Sequence, residues 1–152
     1  MPLDPETPAR DGYLLLITAA RLVQRRWDEA LAPLGLTRAA VIALGGVALR
    51  PMNQEQLAAA VHVQSQTLGR VLARLEAGGL VTRKRNPQDR RQFHVEITEA
   101  GTAALSAARE AESAAISADF DGWEILRDQL SRFVNSLQKF PTRSVLNEGQ
   151  ET

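Results

Sequence analysis

The sequence predicts a mainly α-helical fold with one small β-hairpin. Apolar residues recur every three or four positions along most of the chain, as they do on one face of a helix. A polar-faced helical segment stops at two glycines, Gly78 and Gly79, and the segment after them alternates apolar and polar residues like a strand. A length of 152 residues suits one domain with helical extensions.

The N-terminal part is predicted to hold a lead and two helices. Residues 1–10 contain three prolines and no apolar period, so we expect a disordered lead there. Helical spacing of apolar residues follows over 11–31, and a proline and a glycine then break the chain. Thr37 is a suitable N-cap for a second helix that runs to about Leu49.

The next segment predicts a pair of helices joined by a tight turn. Asn53 and Gln56 have the spacing of a capping box, which would open a short helix over 54–61. A second helix over 65–77 has an apolar stripe on one side and polar side chains on the other. Its N-cap is either Gln64 or Ser65, and the sequence leaves this choice open.

A basic hairpin is predicted directly after this helix pair. Residues 80–85 and 92–97 are the two strands, and residues 86–89 have the composition of a turn. Alternation places Phe93, Val95 and Ile97 on one face. Two helices followed by such a hairpin form a winged helix-turn-helix, which would occupy residues 37–97.

Two further helices are predicted near the C-terminus, before a flexible tail over 141–152. Thr98 is placed to cap an alanine-rich helix that runs to about Ala118, and the last helix covers about 123–140. The first helix and these two are amphipathic, yet the small central part cannot cover all three. We therefore expect residues 11–31 and 99–140 to be dimerisation helices in a folded unit over 11–140.

Composition excludes several classes of function. The absence of cysteine excludes disulfides, thiolate zinc sites and thiol redox switches. Two histidines are too few for a multi-histidine metal site, so no cofactor is expected. No Ser/His/Asp order, phosphate loop or HExxH motif stands out, so we do not expect an enzyme. A secretory signal and a membrane-spanning run are not evident, which predicts a cytoplasmic protein without a membrane partner.

Charge is distributed unevenly although the formal net charge is zero. Residues 64–94 hold seven basic and two acidic side chains, a net charge of +5. A local basic block can bind the phosphates of double-stranded DNA even when the whole chain is neutral.

Polar side chains of the helix over 65–77 are candidates for reading bases in the major groove. Glutamine can pair with adenine and arginine with guanine, and the first turn of such a helix reaches deepest. The alternative is an ordinary solvated helix face. The candidate residues are Ser65, Gln66, Thr67, Arg70 and Arg74.

The hairpin carries a second set of candidates. Arginines at the tip of a strand hairpin can contact the DNA backbone or enter the minor groove, although charges can also serve only to keep an edge strand soluble. One carboxylate among them, Asp89, can orient a neighbouring guanidinium or simply start the turn. The candidate residues are Arg83, Lys84, Arg85, Asp89, Arg90 and Arg91.

The sequence resembles the MarR (multiple antibiotic resistance regulator) family over about residues 11–140. The runs that carry the resemblance are LAPLGLTRAAVIAL, LARLEAGGLV, NPQDRR and ITEAG. The resemblance implies a homodimer that binds pseudo-palindromic operators, usually as a repressor, and joins through the first and last two helices. Many relatives release DNA when a small, often phenolic or anionic, ligand binds between the dimer and DNA-binding parts.

The resemblance also assigns roles to single residues. The family's Asp-x-Arg motif of the wing matches Asp89 to Arg91, so Arg91 would enter the minor groove and Asp89 would orient it. The family's usual Asp-Pro-Ser-Thr start of the recognition helix is replaced by residues 64–67. Where relatives often carry a bulky aromatic, this chain has Ala40, with Ala43 and two glycines nearby, which implies either tighter packing or a ligand space.

A protein–protein interaction module is the alternative to DNA binding for a winged helix. A winged helix that serves as a protein–protein module needs an apolar or acidic recognition surface, and this one is neither. His62, beside the recognition helix, is either a structural turn residue or a ligand-binding one. The sequence predicts a sequence-specific DNA-binding transcriptional regulator.

Overall fold

A computed structural model describes residues 8–116 and 120–139 of the chain, and within them it shows six α-helices and one antiparallel hairpin. The predicted fold class, mainly α with a small β-hairpin, is confirmed. The elements are α1 (Pro8–Leu31), a 3-10 turn (Ala32–Leu34), α2 (Arg38–Leu49), α3 (Gln54–Val61), α4 (Ser65–Ala77), β1 (Val81–Arg85), β2 (Phe93–Ile97), α5 (Glu99–Ile116) and α6 (Trp123–Gln138).

Helix α1 begins earlier than predicted, at Pro8 rather than Asp11. The disordered lead predicted over 1–10 is therefore wrong for its last three residues, and residues 1–7 lie outside the described part. Proline has no amide hydrogen to leave unsatisfied in a first turn, and its fixed φ already suits a helix. The proline is therefore compatible with the helix that the described residues form from Pro8 onward.

The predicted caps of α2 and α3 are confirmed. The Thr37 hydroxyl accepts a hydrogen bond from the Ala40 amide at 3.2 Å. In α3 the Asn53 side chain accepts from the Gln56 amide at 2.7 Å, and the Asn53 amide donates to the Gln56 side chain at 3.1 Å. These bonds satisfy amide groups that the first helical turn leaves unpaired, so they fix where each helix begins.

The hydrophobic core lies in the unit formed by residues 8–116, and residues 120–139 form a second unit. Helices α2 to α5 and the hairpin supply most of the core, and Leu31 adds the end of α1. Five of its largest side chains are at most 2% exposed: Leu31, Leu44, Leu57, Leu68 and Leu72.

Helix α2 packs closely against α3 at Gly46. A Cβ atom at that position would overlap a methyl group of Leu57 and approach Val61 at 3.3 Å. The glycine is therefore required by the approach of the two helices, which offsets its cost of about 1 kcal/mol in a helix interior. Ala43 is fully buried, so this part of the small-residue segment serves tighter packing.

Residues near the start of α5 join that helix to the end of α4. The Thr98 hydroxyl donates to the Gly79 carbonyl at 2.7 Å and accepts from the Gly101 amide at 3.0 Å, which confirms Thr98 as the cap. Gly101 is buried, and a Cβ atom there would overlap the Leu80 carbonyl. The hairpin base and α5 are thus held at a fixed distance.

The C-terminal helices are described as far as Ile116 for α5 and Gln138 for α6. Their expected ends at Ala118 and Phe140 and the tail over 141–152 lie outside the described residues. Across residues 8–116 and 120–139, no single helix is long and apolar enough to cross a membrane. Within the same residues, the segment 8–34 and α2 have the required length and apolar composition only when they are taken together, and an 80° bend separates them.

Candidate nucleic-acid interface

Helix α4 turns a polar face to solvent. Its stripe of Leu68, Leu72 and Leu75 is buried in the core. The five residues that the sequence singles out on this helix are all exposed: Ser65, Gln66, Thr67, Arg70 and Arg74. The packing of α4 therefore leaves its candidate base-reading side chains free to meet a ligand.

No side-chain hydrogen bond caps the start of α4. The N-cap is Gln64, in an extended conformation, and its side chain makes no capping hydrogen bond. This decides the choice between Gln64 and Ser65 that the sequence leaves open. Because the side chain at this position does not bond back to the helix, first-turn amides of α4 can bond other acceptors.

A side chain of α3 holds the first turn of α4 in place. Gln54 Nε2 donates to the Ser65 carbonyl at 2.8 Å and to the Ser65 hydroxyl at 3.3 Å. A Cβ atom at Gly69 would lie only 3.0 Å from the same nitrogen, so the glycine makes room for this contact. Sequence reasoning missed Gln54, whose only signal is its place just after the capping residue Asn53.

The turn between α3 and α4 contains His62 in the left-handed conformation, with φ of 55°. Its amide donates to the Ala58 carbonyl, which ends α3. This supports the structural reading of His62. Among residues 8–116 and 120–139, no group of three or more histidine and carboxylate side chains could hold a metal ion.

The hairpin is also bonded to the residues just before α3 through an isolated β-bridge. Met52 pairs with Val95, with the Met52 carbonyl accepting at 2.7 Å and its amide donating at 3.3 Å. Asn53 adds a side-chain hydrogen bond to Gln92 at 3.4 Å. The start of α3 thereby positions the hairpin as well as α4, a link that the sequence pattern did not show.

Phe93, Val95 and Ile97 share one face of the hairpin, as predicted, but they are not equally buried. In the register, Val81 opposes Ile97, Arg83 opposes Val95 and Arg85 opposes Phe93. Val95 is 2% exposed, but Phe93, near the open end of the hairpin, is 50% exposed. The Arg85 guanidinium lies 5.6 Å from the Phe93 ring centre, which is within cation–π distance.

Two of the predicted basic residues are already paired with carboxylates. Arg83 lies 3.5 Å from Glu76 of α4, and Lys84 lies 3.0 Å from Glu96 of β2. Sequence reasoning missed both partners, although the strand register places Glu96 diagonally across from Lys84 on the same face. These pairs lower the net positive charge that the hairpin offers to a polyanion.

The two arginines at the hairpin tip remain exposed. Within the described residues, no ion pair involves Arg90 or Arg91. The Asp89 carboxylate accepts the Arg91 amide at 3.1 Å, and the Asp89 carbonyl accepts the Gln92 amide at 3.1 Å. Asp89 thus shapes the backbone of the turn, as one of its two predicted roles requires. Among the described residues its carboxylate forms no ion pair, and its orientation of Arg91 stays a prediction.

The arrangement defines a class of protein. A short helix, a tight turn, an exposed polar helix and a hairpin with an arginine tip form a winged helix-turn-helix of the kind that binds DNA. A family model described as MarR family matches residues 34–92, which contain α2 to α4 and most of the hairpin.

Solved structures of similar chains agree with this class. CouR from Rhodococcus jostii RHA1 bound to p-coumaroyl-CoA is 26% identical, with a TM-score of 0.76, over 91% of this chain and 98% of that one. The transcriptional repressor CouR bound to a 23-mer DNA duplex is 25% identical, with a TM-score of 0.73, over 91% and 99% of the two chains. A probable transcriptional regulator from Pseudomonas aeruginosa is 30% identical, with a TM-score of 0.64, over 76% and 93%.

The chain belongs to the MarR family. It is a winged-helix transcriptional regulator of the DNA-binding kind.

Proposed function

We propose that the chain is a homodimeric repressor that binds a pseudo-palindromic operator sequence-specifically and releases it when a small organic ligand binds. It acts in the cytoplasm and catalyses no reaction. The observation that carries the proposal is the exposure of the polar face of α4 beside a hairpin whose tip holds Arg90 and Arg91.

Each part of this surface suits a different part of a DNA duplex. Gln66 and Arg70 have the donors and acceptors that discriminate base edges in the major groove. Arg91, at the hairpin tip, suits the narrow minor groove, where the negative potential is strongest. Arg83, Lys84 and Arg85 lie along the strand below the tip and are suited to phosphates, which fix register.

Exposed apolar faces support a homodimer. Five large apolar residues of α1 are 42–69% exposed. Five of α6, which has no buried residue, are 42–71% exposed. So many exposed large apolar side chains on each helix are unusual on a monomer and are covered most simply by a second copy. These residues are Tyr13, Leu14, Leu15, Ile17 and Leu22 of α1 and Trp123, Ile125, Phe133, Val134 and Leu137 of α6.

Two of the similar structures support the remaining parts of the proposal. CouR is described as a transcriptional repressor in its DNA-bound form, and another structure of it holds p-coumaroyl-CoA. A repressor that also binds a small organic acid derivative is the pattern that we propose for this chain, with an effector of phenolic or anionic character.

A binding titration tests the proposal directly. Fluorescence anisotropy should show that the purified chain binds duplex DNA from upstream of its own gene at least about a thousandfold more tightly than a scrambled duplex. Affinity for the upstream duplex should fall steeply with salt, because phosphate contacts release counterions. Equal affinity for both duplexes at each salt concentration would contradict sequence-specific binding.

A further inference from the structure

We propose that Glu76 and Glu96 are specificity-determining residues, which restrain sequence-independent DNA binding by holding Arg83 and Lys84 in ion pairs. The carboxylate of Glu76 lies 3.5 Å from Arg83, and that of Glu96 lies 3.0 Å from Lys84. The restraint applies to duplex DNA of any sequence. The resulting gain in discrimination between sequences rests on the proposed function.

The stability of the hairpin does not explain these two pairs. Their four side chains are 34–64% exposed, and water screens the attraction between charges that are exposed to this degree. The hairpin is held instead by the backbone pairing of β1 with β2 and by the burial of Val81 and Val95. Another consequence of the two carboxylates therefore has to be sought in the charge of the surface.

Glu76 also occupies an unfavourable position for its own helix. It lies in the last turn of α4, one residue before the helix ends at Ala77. The C-terminal end of a helix carries partial negative charge, which favours a cation such as Arg74 and repels a carboxylate. Helix formation therefore does not favour glutamate here, and the partner of its charge is Arg83 of the hairpin.

Glu96 pairs with Lys84 across the two strands. The register places Glu96 opposite Thr82 and Lys84 opposite His94, so the two charged residues are diagonal neighbours on one face. Successive residues of a strand point to opposite faces, so Arg83 and Lys84 lie on different sides of the hairpin. The two carboxylates thus hold two cations separately.

A phosphate and a carboxylate compete for the same cation. Sequence-independent binding depends almost entirely on cations that neutralise phosphates and release counterions. Each carboxylate occupies one such cation and adds a negative charge that repels the DNA backbone. Both effects lower the affinity of the chain for any duplex.

Binding to the operator loses less from the same pairs. Base contacts from α4 fix the register of a specific complex, and Arg90 and Arg91 lack ion pairs within the described residues. A non-specific complex has no fixed register, so it can shift along the duplex until any free cation meets a phosphate. Since specificity is a difference between two affinities, weakening the unwanted complex raises it.

Fluorescence anisotropy with glutamine variants of the full chain tests the proposal. Glutamine has nearly the size and shape of glutamate but no charge. We expect Glu76→Gln and Glu96→Gln each to raise affinity for a scrambled duplex at least about threefold at low salt and to steepen the salt slope by about 1. Affinity for the upstream duplex should rise less, so the ratio of the two affinities should fall.

Glu29→Gln is the matched control. It removes the same charge from an exposed ion pair, the one with Arg25 on α1, which lies outside the candidate interface. We expect it to change neither the two affinities nor the salt slope. A loss of structure alone would not steepen the salt slope, so this readout separates charge from folding.

A double-mutant cycle shows whether Glu96 acts through Lys84. In a chain that already carries Lys84→Gln, the change Glu96→Gln should raise scrambled-duplex affinity much less than it does in the wild type. An undiminished effect would overturn the proposed pairing. Circular dichroism establishes that each variant is folded, and either glutamate variant carries the test if the other does not fold.

The remaining outcomes separate this proposal from the proposed function. Glutamine variants that bind the scrambled duplex no better than the wild type would overturn the proposal. If the wild type prefers the upstream duplex, an equal rise for both duplexes would overturn it as well. A wild type without that preference would refute the proposed function, and a rise in scrambled-duplex affinity would then still support the restraint.

Discussion

At the scale of single residues, the arginines and the lysine of the hairpin differ in how much charge they can offer to DNA. Arg83 and Lys84 have carboxylate partners at 3.5 and 3.0 Å, whereas Arg90 and Arg91 have no ion pair within the described residues. Exposed ion pairs contribute only about 0–1 kcal/mol each, so DNA can displace them, but at some cost. The tip residues carry no such cost.

Replacing a tip arginine should therefore weaken DNA binding more than replacing the paired lysine. We expect Arg91→Ala to lower affinity for specific and scrambled duplexes alike and to reduce the salt slope by about 1. Lys84→Ala should have a smaller effect, and Arg25→Ala, at an exposed position of α1, should have none. Anisotropy at several salt concentrations measures all three variants, and an equal or larger loss for Lys84→Ala would refute this ranking.

Replacing a base-reading residue should change preference rather than overall affinity. Gln66 is exposed in the first turn of α4 and carries no charge, so its loss leaves phosphate contacts intact. We expect Gln66→Ala to reduce discrimination at one base pair of each half-site by about 1–3 kcal/mol. Selection from a randomised duplex library measures this change, and an unaltered base preference would show that Gln66 faces no base.

At the scale of elements, the orientation of α4 depends on α3 through Gln54. Its hydrogen bond to the Ser65 carbonyl is 2.8 Å long and joins the first turns of the two helices. Gln54→Ala should lower the free energy of unfolding by about 1 kcal/mol and weaken operator binding beyond what that loss explains. Glu55→Gln, at the exposed neighbouring position, is the matched control.

The operator affinities of Gln54→Ala and Glu55→Gln should be compared under conditions in which both variants are fully folded. Urea denaturation gives the stability, and anisotropy at 25 °C gives the affinity. If Gln54→Ala lost stability but bound the operator like the wild type, the contact would be structural only.

The junction of the hairpin with α5 depends on the absence of a side chain at Gly101. A Cβ atom there would overlap the Leu80 carbonyl and lie 2.8 Å from a carbon of Ile97. Gly101→Ala should therefore destabilise the fold by about 1–3 kcal/mol through overpacking. Gly12→Ala is the control, because nothing lies within 4 Å of a Cβ atom in α1 at that position.

Denaturant titration of both glycine variants gives the sign as well as the size of each effect. An alanine in an open helix interior is favoured over glycine by up to about 1 kcal/mol, so Gly12→Ala should be neutral or stabilising. A Gly101→Ala variant as stable as the wild type would show that β1 and α5 can separate at little cost.

At the scale of the whole molecule, the exposed apolar faces of α1 and α6 predict that the chain is dimeric at working concentrations. Leu15 is 69% exposed and Ile125 is 71% exposed, and an aspartate at either position would place an unpaired charge in the proposed interface. We expect Leu15→Asp and Ile125→Asp to sediment as monomers while the wild type sediments as a dimer. Leu49→Asp, at an 88% exposed position at the end of α2, should remain dimeric.

A dimer also sets the form of the operator. Two-fold symmetry repeats the α4 surface, so half-sites should lie about one helical turn apart, or a multiple of it. A monomeric Leu15→Asp variant should bind a single half-site about as well as the wild type does, yet lose affinity for the full operator. Wild-type sedimentation as a monomer at micromolar concentration would contradict the interface.

The sequence by itself determined which segments form helices and strands and where most of them begin. Periodicity, Thr37, the Asn53–Gln56 capping box and the glycines after α4 act within a few neighbouring residues, so they can be read without the fold. The exposed candidates of α4 follow from the same periodicity, because its buried stripe leaves the other side free. The family resemblance rested on local runs of the same kind.

Only the tertiary structure decided which candidate charges are free and how the surface is held. The Lys84–Glu96 and Arg83–Glu76 pairs and the Gln54–Ser65 bond join residues that strand pairing and helix packing bring together. A local pattern reports the propensity of a segment and not its distance from another segment. For that reason the sequence identified the side chains, and the fold determined which of them can bind together.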